Sequence, residues 1–277
     1  MTVIADKILI VFLDGKVDAA SATSASPAEC TALNEVAKRG SNGVLVLPPE
    51  TSHNEHGRSD LESLLSVDRD AAGNVAFKFP KMPVAFFSTF SNSCELVTKL
   101  GLEQVHDLNA RTADDKSFDS KVKALLTEST HSKQLVFLHL DTPSVLSDSS
   151  HWVHGLVSEL LELQERDAES RCLVALVQTA AQLHRSQAAN DANPFRPRQS
   201  YEKIDASYPA CAASSSNSSE LPRLLFSFYQ KDRTRHDEVQ RFDEAEIDAL
   251  GSYGAMSALM FMKEMAFRLG FAPKYGA

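Results

Sequence analysis

The chain has 277 residues, enough to bury the core of one large α/β domain or of two small ones. Its 43% hydrophobic and 23% charged residues are typical of an ordinary globular protein. The formal net charge of −9 argues against a general nucleic-acid or membrane-surface binder, since both need a basic face.

Apolar runs and stretches with helical periodicity alternate along the chain. The apolar runs typical of buried strands are 8–13, 44–47, 82–88, 105–108, 134–140, 173–177 and 223–229. The stretches with a helical apolar stripe are 27–39, 60–67, 94–101, 116–126, 152–166 and 243–270. Gly40 follows the first helix where a C-terminal cap is expected, and Gly251 and Gly254 offer break points in the last. Residues 71–74 are predicted to form a turn.

The composition changes between residues 186 and 220 to Ser, Asn, Pro and Ala, with SSSNSSE at 214–220. Such a segment buries little apolar surface, so we predict a long mobile loop there. The alternation elsewhere predicts a three-layer α/β fold, with a mainly parallel sheet covered by helices on both faces. We expect a single domain over residues 1–277.

The cysteines and the N-terminal segment indicate a reducing compartment. Cys30, Cys94, Cys172 and Cys211 lie far apart without a CxxC spacing, which favours reduced packing or loop residues over metal or disulfide roles. The first apolar run is too short for a signal peptide or a membrane span. We therefore expect a cytoplasmic protein with no membrane insertion and no nucleic-acid partner.

Polar residues of chemical interest follow the first predicted strand, which runs into Asp14 and Gly15. A carboxylate at the carboxyl end of a strand, followed by a Gly that permits a tight turn, is one way in which α/β enzymes present a metal ligand. Asp-Gly is also a common turn dipeptide, so a turn without metal is the alternative.

The second predicted strand is followed by PPETSHNEH at 48–56. Thr51 and Ser52 lie just beyond the strand, where a hydroxyl near a metal ion can act as a nucleophile. His53 and His56 are three residues apart, so one helical turn would bring both to a common face as ligands. The alternative is an exposed loop whose polar residues cap the following helix.

The densest group of possible ligands follows the fifth predicted strand. It consists of Asp141, Asp148, His151 and His154. The alternative is structural, because Asp148 is a good N-cap residue for the next helix and His154 can pack or face water.

In their order along the chain, these strand ends resemble the alkaline phosphatase superfamily. That group includes cofactor-independent phosphoglycerate mutases, nucleotide pyrophosphatase-like phosphodiesterases and phosphoethanolamine transferases. Asp14 matches the family's first metal-binding Asp, and residues 27–43 resemble its next segment. Thr51 is the nearest match to the family's nucleophile, with Ser52 and Ser59 as second choices.

The resemblance extends by order of elements over residues 8–185. Asp141 and His151 correspond to the family's "LD…GH" ligand pair, although here several residues separate them and no Gly precedes the histidine. The family then places a metal-binding Asp-His pair after a strand, and here Ala181 and Gln182 stand at those positions. An alanine cannot coordinate, and an amide is a poor ligand for Zn²⁺ or Mn²⁺. His184 is a possible substitute.

The resemblance with these losses implies a catalytically degenerate member that acts as a binding or interaction protein, with a protein partner as one possibility. Two divalent ions about 4 Å apart perform the chemistry in such sites, and losing one ligand pair disables one position. A related alternative is a subunit of a larger assembly. The charged segment 228–248 is interpreted as an exposed helix entry or as a partner surface.

The other interpretation is an active metal-dependent phosphatase, phosphodiesterase or phosphomutase with rearranged ligands. In that case Thr51 is the nucleophile, and Asp14, Asp141 and His151 hold Zn²⁺ or Mn²⁺. The substrate is a phosphorylated small molecule, whose phosphate two guanidinium groups could hold bidentately. These two groups belong to Arg196 and Arg198. If the site is degenerate, no cofactor is expected.

Overall fold

The computed structural model describes residues 4–15, 31–47, 59–69, 74–109, 117–128, 133–167, 169–180 and 223–273. The strands are β1 (Lys7–Asp14), β2 (Ser41–Val46), β3 (Asp68–Arg69), β4 (Val75–Ala76), β5 (Val84–Ser88), β6 (Gln104–Asp107), β7 (Gln134–Asp141), β8 (Cys172–Thr179), β9 (Arg223–Tyr229) and β10 (Gly254–Ser257). The helices are α1 (Thr31–Arg39), α2 (Asp60–Leu64), α3 (Ser91–Lys99), α4 (Ser117–Thr127), α5 (Thr142–Ser147), α6 (Trp152–Arg166), α7 (Glu244–Leu250) and α8 (Ala258–Leu269). The predicted loop at 186–220 and most of the predicted turn at 71–74 lie outside the described residues.

Eight strands form one sheet in the order β10-β2-β9-β8-β1-β7-β5-β6, and β3 pairs with β4 in a small separate ribbon. β9 runs antiparallel to both of its neighbours, and every other pairing in the large sheet is parallel. The six inner residues of β1 are all buried, as a strand covered on both faces requires. The predicted α/β class with a mainly parallel sheet is confirmed.

Helices cover both faces of the sheet and create two apolar cores. On one face, Leu9 and Val11 of β1 pack in the core that includes residues of α1, α4 and α6. On the other face, Ile8 and Ile10 pack in the core that includes residues of α2, α3 and α8. Successive residues of a strand point to opposite faces, and this alternation assigns each strand-end side chain to one layer.

Gly40 follows α1, as predicted, but it does not have the left-handed conformation of a helix C-cap. A Cβ at Gly40 would lie 2.5 Å from both the Phe228 and Val36 carbonyl oxygens. The glycine is therefore explained by the close approach of β9 to the end of the helix.

The predicted helix at 243–270 is divided at its two glycines into α7, β10 and α8. Gly254 has a φ of 78°, and a Cβ at Gly251 would lie 2.6 Å from the Ile247 carbonyl oxygen. The break was predicted, whereas β10 was not, nor were α5 and the β3-β4 ribbon. Within the described ranges, every helix is too short or too polar to span a bilayer.

Candidate functional site

The ends of β1 and β7 lie side by side at the carboxyl edge of the sheet. The two strands are parallel and pair from Lys7 with Gln134 to Asp14 with Asp141, so the two carboxylate residues are register partners. β8 flanks β1 on its other side and ends at Thr179. Ligands of open α/β sheets bind at this edge.

One face of this edge carries four polar side chains. Asp14 follows Phe12 by two residues, so both point toward the layer of α2, α3 and α8. The same alternation brings Ser88, His139 and Thr179 to that face. They come from β5, β7 and β8, the strands around β1.

Hydrogen bonds join these side chains into a chain across four strands. Ser88 Oγ lies 3.2 Å from His139 Nδ1, and His139 Nε2 lies 3.0 Å from Asp14 Oδ2. Thr179 donates its hydroxyl to the other carboxylate oxygen, Asp14 Oδ1, at 3.2 Å. Both oxygens of Asp14 therefore have protein partners.

The partners of His139 indicate which ring nitrogen carries the proton. An ionised Asp14 only accepts, so Nε2 is the donor toward it. Ser88 Oγ accepts the Phe90 N–H at 2.9 Å, and its own hydrogen is free to go to Nδ1. Both ring nitrogens of the buried imidazole therefore have a hydrogen-bond partner.

Asp14 is held in its ionised form. Burial alone would raise the pKa of Asp14, but the hydrogen bond and charge of His139 oppose this. The Thr179 hydroxyl and the Gly15 backbone N–H add to the effect of His139, so the pKa of Asp14 lies below its ordinary value.

Aromatic rings enclose His139, whose side chain is 2% exposed, against 33% for Asp14. The ring of Phe12 stacks on the imidazole at 5.0 Å with an interplanar angle of 6°. Phe90 lies at 4.6 Å and Phe86 at 6.2 Å between ring centroids. The packing fixes the ring orientation, so Nε2 faces Asp14.

Asp141 begins α5, a short helix that the sequence analysis did not predict. Its Oδ2 accepts the Ser144 N–H at 3.0 Å, which is a regular N-cap bond. The Asp141 N–H in turn donates to Thr89 Oγ1 at 3.2 Å.

His151 also has a capping position, at the start of α6. Its Nδ1 accepts the Val153 N–H at 3.4 Å. The predicted N-cap residue Asp148 instead closes the preceding turn, where its Oδ1 accepts the Ser150 N–H at 2.9 Å. His154 is buried, with Nε2 3.0 Å from the Val145 carbonyl oxygen.

The three predicted metal ligands all have hydrogen-bond partners among the described residues. Asp14 is engaged on both oxygens, and Asp141 and His151 each bind backbone N–H groups of their own helices. Among the residues that the structure describes, no three His, Cys, Asp or Glu side chains are grouped so that they could hold a metal ion. The assignment of the three residues as ligands stays a prediction.

Several predicted site residues lie outside the described ranges. They are Thr51, Ser52, His53, His56, Ala181, Gln182, His184, Arg196 and Arg198. Ser59, a second choice for the nucleophile, is described and forms a capping box with Glu62 at the start of α2. Its role there is structural.

His139 and Ser88 were not predicted from the sequence as site residues. His139 lies in an apolar run, two residues before Asp141, and the alternation of a strand would have assigned both to one face. This alternation can be seen in the sequence. The contacts of His139 with Ser88 and Asp14 cannot, because these residues are 51 and 125 positions away along the chain.

No family model matches the sequence, and no curated protein is significantly similar to it. Among solved structures, the PH0037 protein from Pyrococcus horikoshii aligns over 100% of both chains, with a TM-score of 0.60 and 13% identity. The cofactor-independent phosphoglycerate mutase from Thermoplasma acidophilum aligns over 96% of this chain and 100% of its own, with a TM-score of 0.52 and 10% identity. The chain thus has the alkaline phosphatase-like fold that the resemblance implied.

Proposed function

We propose that this chain retains the fold of metal-dependent phosphoryl-transfer enzymes without their two-metal catalysis, and that it acts as a binding or interaction protein. The observation that supports the proposal is the engagement of Asp14, whose carboxylate is hydrogen-bonded by His139 on one oxygen and by Thr179 on the other. A divalent ion at Asp14 would have to compete with both.

The imidazole of His139 gives Asp14 a fixed partner where a metal ion would otherwise bind at this strand end. It provides a directed donor to the carboxylate and a rigid connection to β5 and β7. The carboxyl edge is then stabilised without an ion and remains available for binding. Ala181 and Gln182, where the resemblance implies Asp and His, agree with the proposal.

The ligand class that we propose is a phosphorylated small molecule, as for the mutase that shares the fold, and a protein partner is the second possibility. We further propose a cytoplasmic location. The buried free thiols of Cys94 and Cys172 support it. Burial raises the pKa of these thiols to about 11 and about 12, so both are inert packing residues.

The test is a turnover measurement on the purified full chain loaded with Zn²⁺ or Mn²⁺. p-Nitrophenyl phosphate and bis(p-nitrophenyl) phosphate serve as monoester and diester substrates, with an authentic alkaline phosphatase assayed in parallel. We expect no release of nitrophenol above the protein-free rate. Enzyme-like turnover that requires the added metal would overturn the proposal.

The second candidate function is metal-dependent phosphoryl transfer with rearranged ligands. The observation that favours it is the register pairing of Asp14 with Asp141, which sets two carboxylates side by side at the edge where ligands bind. In this candidate both carboxylates and His151 would hold the metal, and Thr51 would be the nucleophile. Arg196 and Arg198 would bind the substrate phosphate.

Metal analysis separates the two candidates. The second one requires stoichiometric Zn²⁺ or Mn²⁺ after loading and gel filtration, and it requires that Asp14→Asn abolish this binding. A Thr51→Ala variant that retains full turnover would exclude Thr51 as the nucleophile.

A further inference from the structure

The first residue of β9, Arg223, lies at the carboxyl edge of the sheet. Because β9 is antiparallel to its neighbours, its first residue lies beside their last residues. Arg223 is the register partner of Val46, and its carbonyl oxygen accepts the Ala180 N–H at 3.3 Å. It therefore lies between the ends of β2 and β8.

The guanidinium of Arg223 has buried donors without acceptors. Nε and Nη1 are shielded from solvent, and neither has a hydrogen-bond partner among the residues that the structure describes. The side chain is on the same face of β9 as Leu225 and Tyr229, in the layer of α1 and α6. A guanidinium stays charged in proteins, and burying it unpaired is costly. Among the described residues, this guanidinium therefore has no anionic acceptor.

We infer that Arg223 binds the phosphate group of a phosphorylated small molecule. The inference rests on the proposed binding function and assigns a specific residue to it. A phosphate monoester carries about −1.5 to −2 charge at pH 7 and three strong acceptor oxygens. Such a group neutralises the guanidinium and accepts from several of its N–H groups at once, with the planar fork giving a geometry that lysine cannot reproduce.

The competing explanation for Arg223 is an ion pair with an acidic side chain of the same chain. The two explanations differ in the unfolding of the ligand-free protein. Replacing an unpaired buried guanidinium by an apolar side chain of similar length removes the free-energy cost of burying that charge. Removing one partner of an internal ion pair instead destabilises the protein, because it leaves the other charge buried and uncompensated. Arg223→Met should therefore not lower the thermal unfolding temperature.

The experiment is calorimetric titration of the full chain with inorganic phosphate at low ionic strength, together with thermal unfolding. We expect wild type to bind phosphate and Arg223→Met to bind it at least about tenfold more weakly, as the loss of a charge-assisted hydrogen bond implies. Arg223→Lys should fall between them, because it keeps the charge and loses the fork. Acetate should bind more weakly than phosphate.

Arg171→Met is the matched control. Arg171 is exposed and lies just before β8, at the opposite edge of the sheet, so this variant should bind phosphate within about twofold of wild type, as surface changes usually do. Three outcomes would overturn the inference. They are wild type that binds no phosphate, Arg223→Met that binds as wild type does, and Arg223→Met that unfolds at a much lower temperature.

These outcomes are independent of the proposed function. If the chain binds phosphate through Arg223 and also hydrolyses nitrophenyl phosphate with metal, the assignment of Arg223 holds and the loss of catalysis is wrong. If turnover is absent and phosphate does not bind, the loss of catalysis holds and Arg223 has no ligand of this class.

Discussion

Two aspartates at opposite edges of the sheet show different uses of a carboxylate. Near the amino end of β2, Asp237 accepts from the Asn42 N–H at 3.1 Å and from Asn42 Nδ2 at 2.7 Å. It also accepts the backbone N–H groups of Val239 and Ser252. At the carboxyl edge, two side-chain donors from neighbouring strands hold Asp14 instead.

The difference lies in what each carboxylate holds in place. Backbone N–H groups have no rotamers with which to find another acceptor, so Asp237 fixes the path of the chain before α7 and β10. The donors of Asp14 are two side chains and the single backbone N–H of Gly15, and Asp14 itself is one-third exposed. Asp237, held mainly by backbone N–H groups, stabilises the fold. Asp14, held mainly by side chains at the carboxyl edge of the sheet, can be used for binding.

The largest expected effect is that of Asp237→Ala. The variant leaves three backbone N–H groups and the Asn42 amide without their acceptor, which should lower the free energy of unfolding by about 4 kcal/mol. Urea unfolding followed by circular dichroism measures this. Glu238→Ala, at the exposed neighbouring residue, should change the value by less than about 0.5 kcal/mol. The contrast between Asp237 and Asp14 is wrong if Asp237→Ala lowers the free energy of unfolding no more than substitutions around Asp14 do.

His139 should come second. His139→Ala leaves a cavity among Phe12, Phe86 and Phe90 and removes the donor to Asp14, for an expected loss of about 3 kcal/mol. His139→Phe retains the ring packing and removes only the two hydrogen bonds, so it should lose about 2 kcal/mol in the same unfolding measurement. A His139→Phe variant as stable as wild type would show that the hydrogen-bonded chain has no structural role.

Thr179→Val tests the weaker partner of Asp14. Valine has nearly the shape of threonine, so the change removes one hydrogen bond at small packing cost, and we expect about 1 kcal/mol. The pKa of Asp14 should rise toward its ordinary value. Because the folded-state pKa of Asp14 is lowered, its contribution to stability is present above the ordinary pKa and is lost as the pH falls through the folded value. The free energy of unfolding should therefore fall less steeply at acid pH in the variant than in wild type. An unchanged dependence on pH would show that Thr179 does not affect the pKa of Asp14.

The strand ends could be predicted from the sequence because the strands themselves are continuous apolar runs. Asp14 and Asp141 terminate such runs, and parallel strands end at a common edge, so the pattern predicts that both lie at that edge, although it does not predict that β1 and β7 are neighbours. The position of Arg223 could not be predicted in this way. It depends on the direction of β9, and an apolar run predicts a buried strand without indicating whether that strand is parallel or antiparallel to its neighbours.

The network around His139 could not be predicted for a different reason. Its hydrogen bonds join residues from β5, β7, β1 and β8, and the order of strands in the sheet, unlike their existence, is not encoded in local periodicity. The helix α5 was not predicted, although Pro143 stands in its first turn, where proline is favoured.

The smallest expected effect concerns His106, which contrasts with His139. Both rings pack against phenylalanines, but His139 has partners on both nitrogens, whereas the buried Nε2 of His106 has no hydrogen-bond partner among the described residues. Burial, and to a lesser extent the charge of Lys121, lower the pKa of His106. The folded protein therefore favours the neutral ring. Stability from this residue is complete above the ordinary pKa of about 6.5 and declines as the pH falls below it.

His106→Leu should remove this decline, and Lys121→Met should reduce it, because one abolishes the titration and the other removes the repulsion. Urea unfolding at pH 7.5 and pH 5.5 measures both, and the difference between the two pH values should be smaller in either variant than in wild type. A wild-type protein whose stability is unchanged between these pH values would show that His106 finds an acceptor in solution. The contrast between the two histidines would then reduce to their difference in burial.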